Sequence, residues 1–245
     1  MFAKKITNPV ETAKQAAADY QACYGDNLVT IILYGSACSR EFNPVKSDIN
    51  LLIVLKEASL EMMEKAGPVL KKWAKFRVQQ PLIMDMKYIS HSLDTFPIEF
   101  LNMRFLYMVL AGEDFLKDLN LEKKYIRLQL ERELKGKRLR LAMEWISVKN
   151  KPELVQNLVR VSLNDFAAVF RALLFLKGVE IPAKKADIFT ETGKAYALED
   201  RPFKRILEAL GSNNRKEIVL AFPAYASAIV RLEEIIDQEN EKETV

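Results

Sequence analysis

The rhythm of apolar positions changes partway along this chain. In the first half they gather in short β-branched runs. Leu28 to Leu33 (LVTIIL) and Ile49 to Leu55 (INLLIVL) each predict a buried strand, and Leu82 to Ile89 (LIMDMKYI) predicts a third. A fourth is expected over Ile98 to Met103, after the turn-like SLDTFP. Pro9 to Tyr24 reads as a short amphipathic helix, with proline at its start and Gly25 at its stop. Ser59 to Lys75 reads as another helix, in which Pro68 marks a kink or a break. Beyond Leu119 the strand-like runs disappear. Long helices are predicted over 121–148 and from Pro152 to Lys177, the second with Leu154, Leu158, Val161 and Leu163 on related faces and Gly178 as its stop. Shorter helices follow at 184–197 and 201–210, and a last one at about 214–238 contains Pro223. The expected fold class is α+β: a mixed sheet with flanking helices over residues 1–118, then an all-helical bundle over 119–245.

Composition supports this division and removes several alternatives. At 245 residues and 49% hydrophobic, the chain has material for two modest cores, which excludes a disordered or collagen-like polymer. The net charge of +4 is mild and gives no strong nucleic-acid or membrane signal. No apolar run approaches the roughly 20 residues needed to span a bilayer; Ala167 to Leu176 is broken by Arg171. The opening MFAKKITNPVE has no apolar core of a secretory signal. Cys23 and Cys38 form neither a disulfide framework nor a zinc pattern, so a soluble cytoplasmic protein is the expectation. Residues 1–118 balance at 14 basic and 14 acidic side chains, which leaves 23 and 19 for the remainder. That excess centres on KKYIRLQLERELKGKRLR (123–140), either a solvated helix face or a wall for an anionic ligand.

Candidate chemistry sits between the first two strands, in LYGSACSREFNPVKSDINLLIVL (33–55). A buried strand runs into Gly35 and Ser36, where glycine allows close backbone approach to a ligand and serine offers a hydroxyl. Side chains at i and i+2 of a strand share a face, so Asp48 and Asn50 should point together while Ile49, Leu51 and Ile53 face the core. A carboxylate beside a phosphate-cradling turn suits magnesium-dependent phosphoryl or nucleotidyl transfer, because Mg²⁺ is usually held by one or two carboxylates and the substrate's phosphates.

This segment resembles the nucleotidyltransferase superfamily, the DNA polymerase β-like fold, whose motif is a hydrophobic strand, Gly-Ser, a loop of roughly ten residues, and Asp-x-Asp on the next strand. The similarity is good over 27–56 and loose over 57–118. LYMVLAGEDFL (106–116) is similar to the glycine-centred stretch that ends many catalytic domains of that superfamily. The following helices resemble, in architecture, the C-terminal domain of the antibiotic nucleotidyltransferases such as the aminoglycoside adenylyltransferases. The resemblance implies a triphosphate at Gly35 and Ser36, with Ser47, Arg40 and Lys46 as further nucleotide contacts, and a first metal-binding carboxylate at Asp48. Asn50 stands where the second carboxylate belongs; its amide oxygen can ligate a metal but brings no charge. The loop has Ser39-Arg40-Glu41 where Arg-Gly often follows the motif. A third carboxylate, a catalytic base or metal ligand, is Asp85, Glu99 or neither.

The implied cofactor is Mg²⁺ or Mn²⁺. The implied substrates are an NTP, foremost ATP, bound between the two domains, and a hydroxyl of a small molecule or protein. A homodimer is compatible with this scheme. Three roles remain open from sequence: a nucleotidyltransferase, a catalytically degenerate nucleotide-binding or regulatory module, and an interaction protein with a vestigial site. His91, the only histidine, reads as a loop residue or helix cap, and Cys38 as packing. Met62, Met63, Met84, Met86, Met103 and Met108 read as core residues.

Overall fold

The computed structural model describes residues 5–243, with side chains through residue 239. It divides into two compact units, Met1–Leu121 and Glu122–Val245. Residues 1–4, part of the segment examined for a signal, and 244–245 lie outside the described residues. Among the described residues, no helix is long and apolar enough to cross a membrane.

The first unit opens with α1 (Pro9–Tyr24), whose Asn8 side chain accepts from the Glu11 N–H at 3.0 Å. Strand β1 (Leu28–Tyr34) follows, then β2 (Asn50–Leu55), the short helices α2 (Leu60–Glu64) and α3 (Gly67–Ala74), and β3 (Leu82–Asp85). Helices α4 (Met86–Ser90) and α5 (Pro97–Phe105) lead into β4 (Tyr107–Gly112). The sheet order is β3-β2-β1-β4, with β1 antiparallel to both neighbours and β2 parallel to β3. One face, carrying Ile31, Leu33, Leu51, Ile53 and Leu55, closes a core with Ala13, Ala16, Ala17 and Tyr20 of α1 and Trp73 of α3. Asp19 ties the two helices together. It pairs with Lys72 at 2.6 Å and accepts from the Trp73 indole at 2.7 Å, and these hydrogen bonds hold its carboxyl below the ordinary range.

Three sequence expectations change here. Ser59 to Lys75 is two helices, and Pro68 sits in the first turn of the second, where its missing N–H costs nothing. The third strand ends at Asp85, because the Asp85 carboxylate caps a new helix by accepting from the Tyr88 N–H at 2.7 Å. Ile98 to Met103 is helical, within α5: Pro97 starts it, and Ile98, Leu101 and Phe100, Met103 bury at helical spacing. The fourth strand is instead Tyr107–Gly112.

The second unit is helical throughout its described residues: α6 (Lys123–Val148), α7 (Pro152–Leu176), α8 (Lys185–Ala195), α9 (Pro202–Gly211) and α10 (Arg215–Glu243). Helix α7 is buried on several sides, as expected of the centre of a bundle. Its Phe170 meets Phe189 and Phe203 with centroids 4.5 and 5.0 Å apart, and Trp145 stacks on Phe222 at 4.1 Å. The buried hydroxyls of Ser162 and Tyr225 lie 3.0 Å apart, and Ser162 also donates to the Val159 carbonyl at 2.9 Å. Burial pushes the Tyr225 phenol well up. The basic run on α6 is largely paired: Lys135 with Glu131 and Asp237, Lys137 with Glu133, Arg138 with Glu233, and Arg140 with Asp165.

Gly112 ends β4 with φ +78°, and a Cβ there would fall 1.9 Å from the Val29 carbonyl oxygen. Gly112→Ala is therefore expected to destabilise the sheet unit by at least about 2 kcal/mol. Gly67→Ala, where a Cβ meets nothing within 4 Å, is expected to change stability far less. Thermal and urea denaturation of the two variants checks the contrast.

Candidate functional site

Strand β1 delivers Gly35 to the end of the sheet with φ +80°, a conformation that favours glycine. The Gly35 N–H donates to the Leu106 carbonyl at 2.8 Å, and the chain then winds into a 3₁₀ turn, Gly35–Cys38. Both the N–H and the hydroxyl of Ser39 donate to the Ser36 carbonyl, at 3.0 and 3.1 Å. The Ser36 hydroxyl is left over. Asn50 stands directly opposite Tyr34 across β1 and β2. Its amide nitrogen would lie 3.7 Å from a Cβ built on Gly35, so the amide rests against the turn. Asp48, two residues earlier, is on the same side of the strand direction and half-buried. Among the described residues, the side chains of Ser36, Asp48 and Asn50 have no hydrogen-bond or ion-pair partner. Three polar side chains with unused bonding capacity thus lie on the turn after β1 and the segment that opens β2, with Asn50 resting against Gly35.

The loop between the strands is internally tied. Asn43 accepts from the N–H groups of Val45 and Lys46 at 2.9 and 3.0 Å, and its own N–H donates to the Ser47 hydroxyl at 2.9 Å. Ser47, expected as a nucleotide contact, therefore has its oxygen engaged in the loop. Arg40 and Lys46 are exposed beside it.

Arg77 joins the site through tertiary contacts alone. Its guanidinium donates to the carbonyls of Pro44, at 2.7 Å, and Val45, just before Asp48. Its own carbonyl accepts from the Ile49 N–H at 2.9 Å, just after Asp48. Arg77, with φ +54°, thus holds the backbone on both sides of Asp48. A lone arginine in KFRVQQ carries no local signal; only tertiary pairing reveals it.

The expected third carboxylates are placed elsewhere. Asp85 pairs with Leu55, at the far end of β2 from Asn50. Five residues of strand separate the two positions, about 16 Å. With its carboxylate also capping α4, Asp85 is corrected from metal ligand to helix cap. Glu99 lies exposed in the first turn of α5. Among the described residues, no three His, Cys, Asp or Glu side chains gather as a metal cluster. His91 sits at the C-terminal cap of α4. Cys38 donates to the Leu33 carbonyl at 3.4 Å, and burial pushes its thiol up to about 11, so it is a neutral packing group at pH 7.

Among solved structures, the chain is similar to spectinomycin adenyltransferase AAD(9) from Enterococcus faecialis, a structure with ATP and spectinomycin. The TM-score is 0.52 at 13% identity, covering 91% of this chain and 99% of that one. A nucleotidyltransferase-like protein from Exiguobacterium sibiricum 255-15 also aligns, with TM-score 0.37 and 14% identity over 92% of this chain and 75% of that one. No protein-family model and no curated protein matches the chain.

Asp85→Ala is expected to lower stability by about 1 kcal/mol through loss of the α4 cap, and Asp85→Asn by less. Chemical denaturation distinguishes them. Arg77→Ala is expected to free the loop, raising the rate of tryptic cleavage after Lys46 by about tenfold at native temperature. Peptide mapping of limited digests reads this directly.

Proposed function

We propose that this chain, which has the nucleotidyltransferase fold, binds a nucleoside triphosphate at the Gly35–Ser36 turn and transfers its nucleoside monophosphate to an acceptor hydroxyl. The observation that carries this reading is the meeting of three unpartnered polar groups, Ser36, Asp48 and Asn50, around a backbone that Gly35 leaves open. ATP is the first nucleotide to test, because the similar adenyltransferase was solved with it.

The donor set is one carboxylate, one amide oxygen and one hydroxyl. It fits a single hard cation, Mg²⁺ or Mn²⁺, that takes its other ligands from triphosphate and water. Such an ion neutralises triphosphate charge and supports the leaving oxygen. The chain's own groups do the rest. Ser36 would donate its hydroxyl to a phosphate oxygen, Asp48 and Asn50 would hold the cation, and Arg77 holds the backbone on both sides of Asp48. Arg40 and Lys46 add positive charge at the loop. In the transfer, the acceptor oxygen bonds to the α-phosphorus, the bond to the bridging oxygen breaks, and pyrophosphate leaves. Glu99, in the first turn of α5, is the other sequence candidate to take the hydroxyl proton. Its helix runs toward Leu106, whose carbonyl holds the Gly35 N–H.

A second reading, nucleotide binding with little or no turnover, is favoured by Asn50 and by the position of Asp85. The two readings separate experimentally. Thermal shifts with ATP and Mg²⁺ or Mn²⁺ are expected for the parent, reaching about 2.7 kcal/mol of stabilisation at 100 times the dissociation constant. Ser36→Ala and Asp48→Ala should each remove most of that response. Asn50→Asp should fit without repacking, gain a larger metal response, and be no more stable than the parent in chelator, since two close carboxylates repel. Transfer or slow hydrolysis of α-labelled ATP by the parent supports the enzyme. Its appearance only in Asn50→Asp supports the binding module. A parent that responds to no nucleoside triphosphate with either metal would overturn both.

A further inference from the structure

Within the helical unit, a cleft of about 640 Å³ opens between the C-terminal half of α8 and the start of α9. Its volume is in the range of small-molecule sites. Three features of its wall are hard to explain as packing alone. The first is Gly193, inside α8, where glycine weakens a helix. A Cβ at Gly193 would come within 3.4 Å of the Phe203 ring, so the missing side chain leaves that ring room. The second is backbone strain. Ala197, Asp200 and Arg201, none of them glycine, adopt φ of +49°, +59° and +47° in the six residues that join the helices. Such conformations persist only where the surroundings enforce them, and they concentrate at ligand clamps. The third is charge. Lys194, Arg201 and Lys204 all line the cleft. Lys194 and Lys204 are balanced by Glu191 and Glu208, at 2.6 and 3.6 Å. Among the described residues, Arg201 has no acidic partner, and it is one of the strained residues. The floor beneath is apolar, with Leu198, Pro202 and the buried Phe203.

We propose that this cleft is a binding site for an amphipathic organic anion. Its carboxylate or phosphate would meet the Arg201 guanidinium, and its apolar body would lie on Leu198, Pro202 and Phe203. A planar guanidinium suits two-point pairing with either oxyanion. The left-handed backbone at Arg201 is then the feature that turns its side chain toward the cleft. This site lies wholly within the second unit and shares no residue with the Gly35–Ser36 turn.

The test uses the full chain, isotope-labelled, titrated separately with phenyl phosphate, benzoate, inorganic phosphate and neutral benzyl alcohol. The expected result is saturable movement of the Gly193 and Leu198 amide signals with the two aryl anions. Inorganic phosphate and benzyl alcohol should bind at least tenfold more weakly. Phenyl phosphate against benzoate decides which headgroup is preferred. Arg201→Gly removes the guanidinium and relieves the strain, so it should melt no lower than the parent yet bind the aryl anions at least tenfold more weakly. Arg201→Lys should recover only part of the loss. Equal binding by parent and Arg201→Gly would overturn the proposal. So would movement confined to the Gly35 and Ser36 signals, or equal affinity for inorganic phosphate.

Discussion

The geometry at the end of the sheet depends on one register, Tyr34 opposite Asn50 in the antiparallel pairing of β1 and β2. Both faces of this pairing are buried, Ile31, Leu33, Leu51 and Ile53 on one and Ile32, Leu52 and Val54 on the other, and slipping it by one residue would turn Asn50 toward the core that α1 covers. Leu51, Ile53, Leu55, Ile31 and Leu33 are at most 1% exposed. Burying each such side chain contributes about 1.5–3 kcal/mol, which keeps the two strands paired. The polar groups at the strand end inherit a placement they do nothing to enforce. Gly35, Ser36, Asp48 and Asn50 are brought to one end of the sheet because the strands that lead to them are buried on both faces.

That division also explains what the sequence made legible. LVTIIL and INLLIVL are β-branched and bounded by turn residues, so both strands could be read as continuous buried runs. The five helices of the second unit were equally plain, because leucine and phenylalanine recur at helical spacing and Pro152, Gly178 and Pro202 punctuate them. What escaped was decided by contacts distant in sequence or by a single local bond. LIMDMKYI alternates like a strand throughout, yet one carboxylate at Asp85 was enough to start a helix. IEFLNM is apolar enough for either state, and Pro97 together with burial on one side made it helical. Arg77 left no trace, since its partners are carbonyls 32 and 33 residues away.

The electrostatics of the turn follow from the same economy of groups. Burial raises the pKa of both the Tyr34 phenol and the Cys38 thiol, leaving them uncharged around the Gly-Ser turn at neutral pH. Arg77 gives its two terminal nitrogens to the Val45 and Pro44 carbonyls and brings no counter-carboxylate with it. Asp48 is thus the only acidic side chain of the motif. A divalent cation approaching alone meets one negative charge, whereas a cation already bound to a triphosphate carries most of its ligands with it. Under the proposed function, this charge arrangement would favour coupled arrival of metal and nucleotide.

The hydroxyl pair in the helical unit constrains how the sequence can drift. Ser162 has a second acceptor in the Val159 carbonyl, so replacing Tyr225 by phenylalanine leaves no group stranded. Replacing Ser162 by alanine first leaves the Tyr225 hydroxyl buried with nothing to bond, a penalty of about 1–3 kcal/mol. The two single steps lead to the same apolar double variant, but only one order avoids a valley. Descendants of this chain that lose the pair should therefore have lost the tyrosine hydroxyl before the serine, and a phenylalanine at 225 beside a retained serine is the intermediate that history should leave behind.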